Sequence, residues 1–304
     1  MSTLTTTPDT SNEGTGTGPG PGGRASDPAA GRTVPRREIP WSLVAALVAL
    51  AWFVVALVAP AALSPHDPLA LDLGAALQPP GWLHWAGTDE AGRDLYGRIV
   101  WGTRDSLAIG AGATTVSIGI AVVLGALAAL APTPVAAAVD ALLEILFAFP
   151  TLLLALLLVA LLGPSAATAM IAVGVGTAPG YARMIRAQIL GAKRSGYVEA
   201  AVALGHKRRR VLVRHIVPNA VRPLVAVVAL SIGQSIVWAS SLSFLGLGIA
   251  PPSSEWGALL DAGRTYVTQA WWLTVIPGLV IVALALTTTT LGKHLQRALE
   301  RGER

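Results

Sequence analysis

Six apolar stretches, at residues 41–63, 107–130, 141–162, 166–181, 220–249 and 271–291, set the limits on what this chain can become. A helix needs about 20 nonpolar residues to cross a hydrocarbon core about 30 Å thick, and five of the six runs supply them. The fourth is shorter, is punctuated by Gly174, Gly176, Pro179 and Gly180, and runs on into 183–190. Only 13% of the residues are charged, against about 25% in soluble domains, so most of the chain must meet lipid or other buried helices. The pattern predicts an all-α integral membrane protein of six transmembrane helices, with its transmembrane domain over 39–298. Residues 1–38, rich in Thr, Gly, Pro and Ser, cannot bury enough surface to offset chain entropy and read as a disordered leader, with 299–304 as a short tail. The 41–63 run is too long for a signal-peptide core and follows a long polar segment, which predicts a retained span.

Basic residues set the orientation, because cytoplasmic loops near spans carry an excess of Lys and Arg. Arg32, Arg36 and Arg37 place the N-terminus inside, and six spans return Lys293, Arg297, Arg301 and Arg304 to the same side. Ten of the 22 Lys and Arg lie within 183–222, against one acid, Glu199, so that loop is also cytoplasmic. Residues 64–104 and 250–270 then lie outside. A basic patch between membrane spans is explained by orientation, which leaves no reason to invoke nucleic acid. The chain has no cysteine, which excludes disulfides, thiolate catalysis and Cys-based metal sites.

The loop itself, at 191–218, reads as two short helices. Ser195 suits an N-cap, and Tyr197, Ala201 and Leu204 recur at helical spacing as one apolar stripe. Gly205 suits the left-handed residue that ends a helix. A second helix from Lys207 to about Ile216 carries Lys207, Arg208, Arg209, Arg210 and Arg214, with Val211, Leu212 and Ile216 opposite, and Pro218 predicts a break before the next span. The residues alone leave two uses open, insertion into a groove on a partner protein or contact of the basic side with anionic lipid.

Glu199-Ala200-Ala201, three residues, Gly205, then ten residues and Ile216-Val217-Pro218 resembles the signature loop of binding-protein-dependent ABC importer permeases. Three more stretches resemble the C-type, second-permease subunits of the dipeptide, oligopeptide and nickel branch: the run from His84 to Asp94, Pro179-Gly180-Tyr181-Ala182-Arg183, and Ser243-Phe244-Leu245-Gly246-Leu247-Gly248 with Pro251-Pro252 and Glu255-Trp256-Gly257. The resemblance runs from about Trp41 to Leu295. It implies a non-catalytic subunit of the bacterial plasma membrane, with both termini cytoplasmic, forming half of a pathway for di- or oligopeptides or a related solute such as a nickel chelate. It further implies a second permease subunit, two cytoplasmic ATPase subunits that bind the ATP and Mg, and an extracytoplasmic substrate-binding protein. Glu199, Ala200, Ala201 and Gly205, with Lys207, Arg208, Arg209 and Arg210, would then be the ATPase-coupling residues. Where relatives often carry an acid and a Trp after the glycine, this chain has Arg208 and Arg209, which implies a more acidic patch on its ATPase. Relatives often end the last span with Asn and Asp where Thr289 and Lys293 stand here.

Polar groups at membrane depth tend to face a bundle interior or a water-filled path. Ser231, Gln234 and Ser235 share a face by helical spacing and are candidate pathway-lining residues, although small hydroxyls also bond neighbouring backbone. On the outer side, Asp89, Glu90, Arg93 and Asp94, together with Glu255 and Trp256, are candidates for the face that receives the binding protein, in a segment over 88–104 read as an interfacial helix entering the second span. Asp140 and Glu144, four apart near the inner end of the third span, suit a proton relay or, more ordinarily, a salt-bridged acid. The five histidines show no metal-ligand spacing. No Gly-x-x-x-x-Gly-Lys-Ser/Thr, Gly-x-Ser-x-Gly or His-Glu-x-x-His motif is present. A lipid-binding scaffold or membrane enzyme and an ion-driven secondary transporter are the competing classes, and the latter lacks an ionisable residue near the centre of any run.

Overall fold

A computed structural model describes residues 41–65, 67–250 and 252–301. The expected leader at 1–38 and residues 302–304 of the tail lie outside the described residues. Within them the chain is helical, as backbone in lipid must be if every N–H and C=O is to find a partner within its own segment. The α-helices are α1 (Trp41–Val58), α2 (Pro60–Leu63), α3 (Leu95–Leu130), α4 (Thr133–Ala148), α5 (Thr151–Leu162), α6 (Ala166–Lys193), α7 (Gly196–Ala203), α8 (Arg208–Val211), α9 (Val217–Leu242), α10 (Trp256–Arg264) and α11 (Trp272–Arg301). One isolated bridge, Thr88 to Asp94, is the extent of β pairing among the described residues.

Four helices are long and apolar enough to cross a membrane, namely α1, α3, α11 and the stretch Leu224–Leu247 led by α9, and a fifth span exists if α4 and α5 count together. That pair corrects the single helix expected over 141–162. The axis turns by 92° between α4 and α5, where Phe149 is extended and Pro150 precedes the first turn of α5. The ring of Pro150 disfavours a helical Phe149, so the helix ends there despite an unbroken apolar composition. The weakly apolar α6 does run continuously from Ala166 to Lys193, Pro179 included. With 36 residues, α3 is about 54 Å long, well beyond the hydrocarbon thickness, so one end of it must project. The expected interfacial helix over 88–104 is instead a tight turn followed at Leu95 by α3 itself.

Helix packing uses small residues where backbones close in. A methyl on Gly125 would sit 2.7 Å from the Ala182 carbonyl oxygen, which fixes the approach of α3 and α6, and Gly110 lies hard against Ile236 of α9. Three apolar clusters line the bundle. One at the basic-loop end joins Leu143, Ile185, Ile189, Val198, Val211 and Leu224. A second in the middle joins Ile109, Val159, Val173 and Leu242. The third, at the opposite end, joins Phe53, Leu95, Ile99, Trp256 and Trp272. Outward faces remain nonpolar, as on α11, where Val275, Leu279, Val282 and Leu286 are exposed. A water-soluble fold rarely leaves such a face uncovered.

Candidate functional site

The basic loop begins where α6 ends. Ser195 occupies the N-cap position of α7 but makes no side-chain cap, because its hydroxyl donates back to the Ala192 carbonyl at 2.6 Å. The expected apolar stripe is also redistributed. Val198 and Ala201 are buried against the bundle while Tyr197, Val202 and Leu204 are exposed, so the helix turns part of its apolar surface outward. Gly205 then reverses the chain at φ +76°. Its amide donates to Val202 and that of His206 to Ala201, at 2.9 and 3.1 Å, which is the paired closure of a Schellman turn. Glu199, Ala200, Lys207, Arg208, Arg209 and Arg210 all lie on the exposed side, and Ala201 alone of the candidate coupling residues is buried. The rings of His206 and His215 stack at 6.3 Å with planes 10° apart, and Nδ1 of the first and Nε2 of the second are buried without a partner.

The break predicted at Pro218 does not occur. Leu212–Ile216 forms one wide π turn, in which the Val217 amide reaches back to the Leu212 carbonyl, and α9 continues directly with Pro218 in its first turn. The wider turn relieves the clash between a proline ring and the carbonyl four residues before it. Asn219 adds a 2.7 Å hydrogen bond from Nδ2 to the His215 carbonyl oxygen. The basic helix and the following span are thus one mechanical unit.

A cleft of about 610 Å³ opens at the α4–α5 break and faces α6 and α9. Phe147, Phe149, Met184 and Trp238 supply apolar walls, and Thr151, Thr177, Tyr181 and Gln234 supply neutral polar groups. Tyr181 donates its hydroxyl to Gln234 Oε1 at 2.8 Å. Of the three candidate pathway residues only Gln234 reaches this cleft. Ser231 and Ser235 are buried; the first donates to the Val228 carbonyl of its own helix and hydrogen-bonds the Tyr181 side chain at the cleft wall, and the second accepts from Thr114 of α3. Sequence spacing could not reveal Tyr181, Trp238 or Phe149, because the bend at Pro150 brings them together from separate helices. Asp140 is ion-paired to Arg186 at 2.8 Å, which accounts for it without a relay, and the neighbouring Arg183 lies over the Phe147 ring at 4.3 Å.

At the opposite end, Asp89 accepts from Arg93 Nε and Arg98 Nη1, both at 2.7 Å, and from the amides of Ala91 and Arg93. Arg98 extends to the carbonyl oxygens of Pro252 and Ser253. Glu255 caps α10 by accepting from the Gly257 and Ala258 amides at 2.8 and 2.9 Å. Burial pushes its carboxyl above the ordinary range, with the charge of Asp105 acting in the same direction. Trp256 donates its ring N–H to the Ile99 carbonyl. Asp89, Glu255 and Trp256 are therefore enclosed and cannot themselves touch an arriving protein, which corrects the expected docking face. Glu90, Arg93 and Asp94 remain partly accessible there.

Apolar helices with uncovered nonpolar faces, a cleft between them and a basic helical loop at one end define a membrane-embedded helical protein. Residues 121–301 match the family described as binding-protein-dependent transport system inner membrane component, and the chain belongs to that family. It is 37% identical over 238 residues, 78% of this chain and 80% of the relative, to a probable D,D-dipeptide transport system permease protein of Escherichia coli (strain K12). It is 36% identical to a di/tripeptide transport system permease protein of Pseudomonas aeruginosa, again over 78% of this chain and 80% of that one. A glutathione transport system permease protein of Pectobacterium atrosepticum is 38% identical over 73% of each chain. Among solved structures, an amino acid ABC transporter aligns with a TM-score of 0.57 at 17% identity, over 67% of this chain and 94% of that one. The MetNI methionine ABC transporter aligns at 0.55 and 19% identity, over 67% and 97%. At those identities the likeness concerns the fold alone.

Proposed function

We propose that this chain is one permease half of an ATP-driven importer of short peptides, working with a second permease, two cytoplasmic ATPases and an extracytoplasmic binding protein. In this reading α6 and the broken α4–α5 pair complete six spans, the basic loop faces the cytoplasm, and α10 with the Asp89 turn faces outward. The observation that carries the coupling role is the Glu199–Gly205 helix and turn. It holds an acid, small residues and apolar Val202 and Leu204 on the exposed side, next to buried imidazole nitrogens lacking partners, as a surface awaiting a protein would. Buried polar atoms left unsatisfied are uncommon in finished interfaces. The relatives, named for dipeptide, di/tripeptide and glutathione transport, supply the peptide class. The cleft supports it, since its neutral amide and hydroxyl groups can follow a peptide main chain without trapping a charged terminus.

Transport is then a two-state switch. Closure of the ATPase dimer moves the loop, and the loop is continuous with α9, which carries Gln234 and Trp238 into the cleft. Such coupling requires the ATPase to bind the two permease conformations with different affinity. The test is reconstitution of the co-expressed complex in liposomes with a labelled dipeptide inside or outside. Binding-protein-dependent uptake that fails when Arg208 and Arg209 are both changed to Glu supports the reading. Intact ATPase association and uptake in that variant would assign those charges to lipid instead.

A further inference from the structure

Residues 79–87 form a closed loop whose tip shows the most exposed large apolar side chains at its end of the bundle. The neck is tied twice, by the Gln78 amide to Thr88 Oγ1 at 2.8 Å and the Thr88 amide to the Gln78 carbonyl at 3.0 Å. Inside it, the Gly81 amide donates to the His84 carbonyl at 2.8 Å, closing a turn over Trp82 and Leu83. The base is fixed as well. His84 pairs with Asp94 at 3.0 Å, Trp85 packs on Tyr96 with ring centroids 5.3 Å apart, and Trp272 at the start of α11 donates to the Thr88 carbonyl at 3.1 Å. Yet Trp82 is 100% exposed, Leu83 86% and Trp85 68%. A loop tied in this way cannot fold its tip back for cover, so the apolar groups are held outward by construction.

We propose that this turn is an interfacial anchor that seats Trp82, Leu83 and Trp85 in the headgroup layer of the leaflet at this end of the bundle. Tryptophan favours that layer, where its ring meets apolar chains and its N–H meets water. Two observations favour lipid over a protein partner. The loop rests on Trp272, next to exposed Trp271, and Trp271 begins the outward stripe of Val275, Leu279, Val282 and Leu286 on α11. The tip thus continues an uncovered nonpolar face of α11 of the kind a membrane protein turns to the bilayer. Moreover, residues 79–87 contain no Asp, Glu, Lys or Arg, and the partly exposed charges beside them are spent on pairs within this chain, Asp94 with His84 and Glu90 with Arg93, whereas a docking surface for a soluble protein uses charge to steer its partner. The seat fixes the height of α3 and α11 relative to the membrane. It rests on the membrane placement of these helices and not on the identity of what is transported.

The natural chain has no cysteine, so Leu83→Cys gives a single labelling site at a position where the side chain supports no packing. The full chain, labelled there with an environment-sensitive fluorophore, is reconstituted into phosphatidylethanolamine and phosphatidylglycerol liposomes without any partner protein. A blue-shifted emission, quenching by a headgroup-attached quencher and at least twofold protection from a water-soluble quencher are the expected results. A label that stays fully accessible to the aqueous quencher overturns the proposal. Protection that arises only when a second permease or a binding protein is added overturns it too, and moves the surface to that partner.

Discussion

Arg98 and Asp89 meet at 2.7 Å with only 4% and 3% of their side chains exposed. One carboxylate thereby joins the turn at 88–94, the first turns of α3 and, through the carbonyls of Pro252 and Ser253, the approach to α10. Removing one member of a buried pair leaves the other charged and unpaired, which costs about 3–5 kcal/mol. Asp89→Ala is therefore expected to abolish recovery of monodisperse protein in mild detergent, or to lower its thermal midpoint sharply. Asp94→Ala offers the comparison. It loses a partner of His84 whose side chain is 27% exposed and the N-cap of α3, worth about 1 kcal/mol, and should be recovered nearly as well as the natural chain.

Gly205 separates conformation from space. Its φ of +76° favours glycine, yet a Cβ built there meets nothing within 4 Å. Backbone preference alone should therefore order its variants. Asn tolerates the left-handed region and should retain most uptake, Ala should lose about 1 kcal/mol of loop stability, and β-branched Val should lose the most. Peptide uptake by reconstituted complexes of the three variants, with membrane insertion checked by proteolysis, measures the order. Equal uptake by Val and Asn would show that the turn does not transmit the signal.

Particular residues explain how much of this was legible. The Gly205 turn is local chemistry, since glycine after a short amphipathic helix has one common use, and spacing suffices to place it. The composition of α1, α3, α9 and α11 likewise announces spans. Periodicity is silent about Pro150, because Phe149 and Pro150 interrupt no apolar run; the restriction proline places on its predecessor was the available signal. Pro218 misled in the opposite sense, since a π turn accommodates what an α-helix would reject. The cleft was illegible altogether, apart from Gln234, because its walls come from four helices whose meeting is a tertiary fact. Burial of Glu255 and Trp256 was hidden for the same reason, as a motif does not say which way its side chains point.

The hydrogen bond from Tyr181 to Gln234 makes the neutrality of the cleft testable. Gln234→Glu keeps the size of the side chain and adds an acid beside the aromatic walls of Phe147, Phe149 and Trp238. Uptake of a dipeptide with an acidic side chain should fall relative to one with a basic side chain, and a barrier difference of about 1.4 kcal/mol would appear as a tenfold change in the ratio. The experiment is competitive uptake of the two labelled peptides by the same liposomes. An unchanged ratio would place the route elsewhere than this cleft.

Glu255 gives the chain a pH dependence with a definite sign. Burial, helped by the charge of Asp105, raises its carboxyl above the ordinary value of 4.5, against hydrogen bonds from the Gly257 and Ala258 amides and Ser243 that favour the anion. In the window between 4.5 and the raised value the folded state holds a proton that the unfolded chain releases, so stability rises as pH falls. The contribution is fully present below the unfolded pKa and is lost as pH climbs through the folded one. Thermal midpoints of the detergent-solubilised chain across that window should therefore decline with pH more steeply for the natural protein than for Glu255→Gln. The variant keeps a neutral acceptor for one of the two cap amides and gives up the other, so it should be less stable at the acidic end by about 1 kcal/mol. Identical slopes for the two proteins would mean that Glu255 stays ionised in the fold, held by its two amides and the helix dipole in spite of its burial.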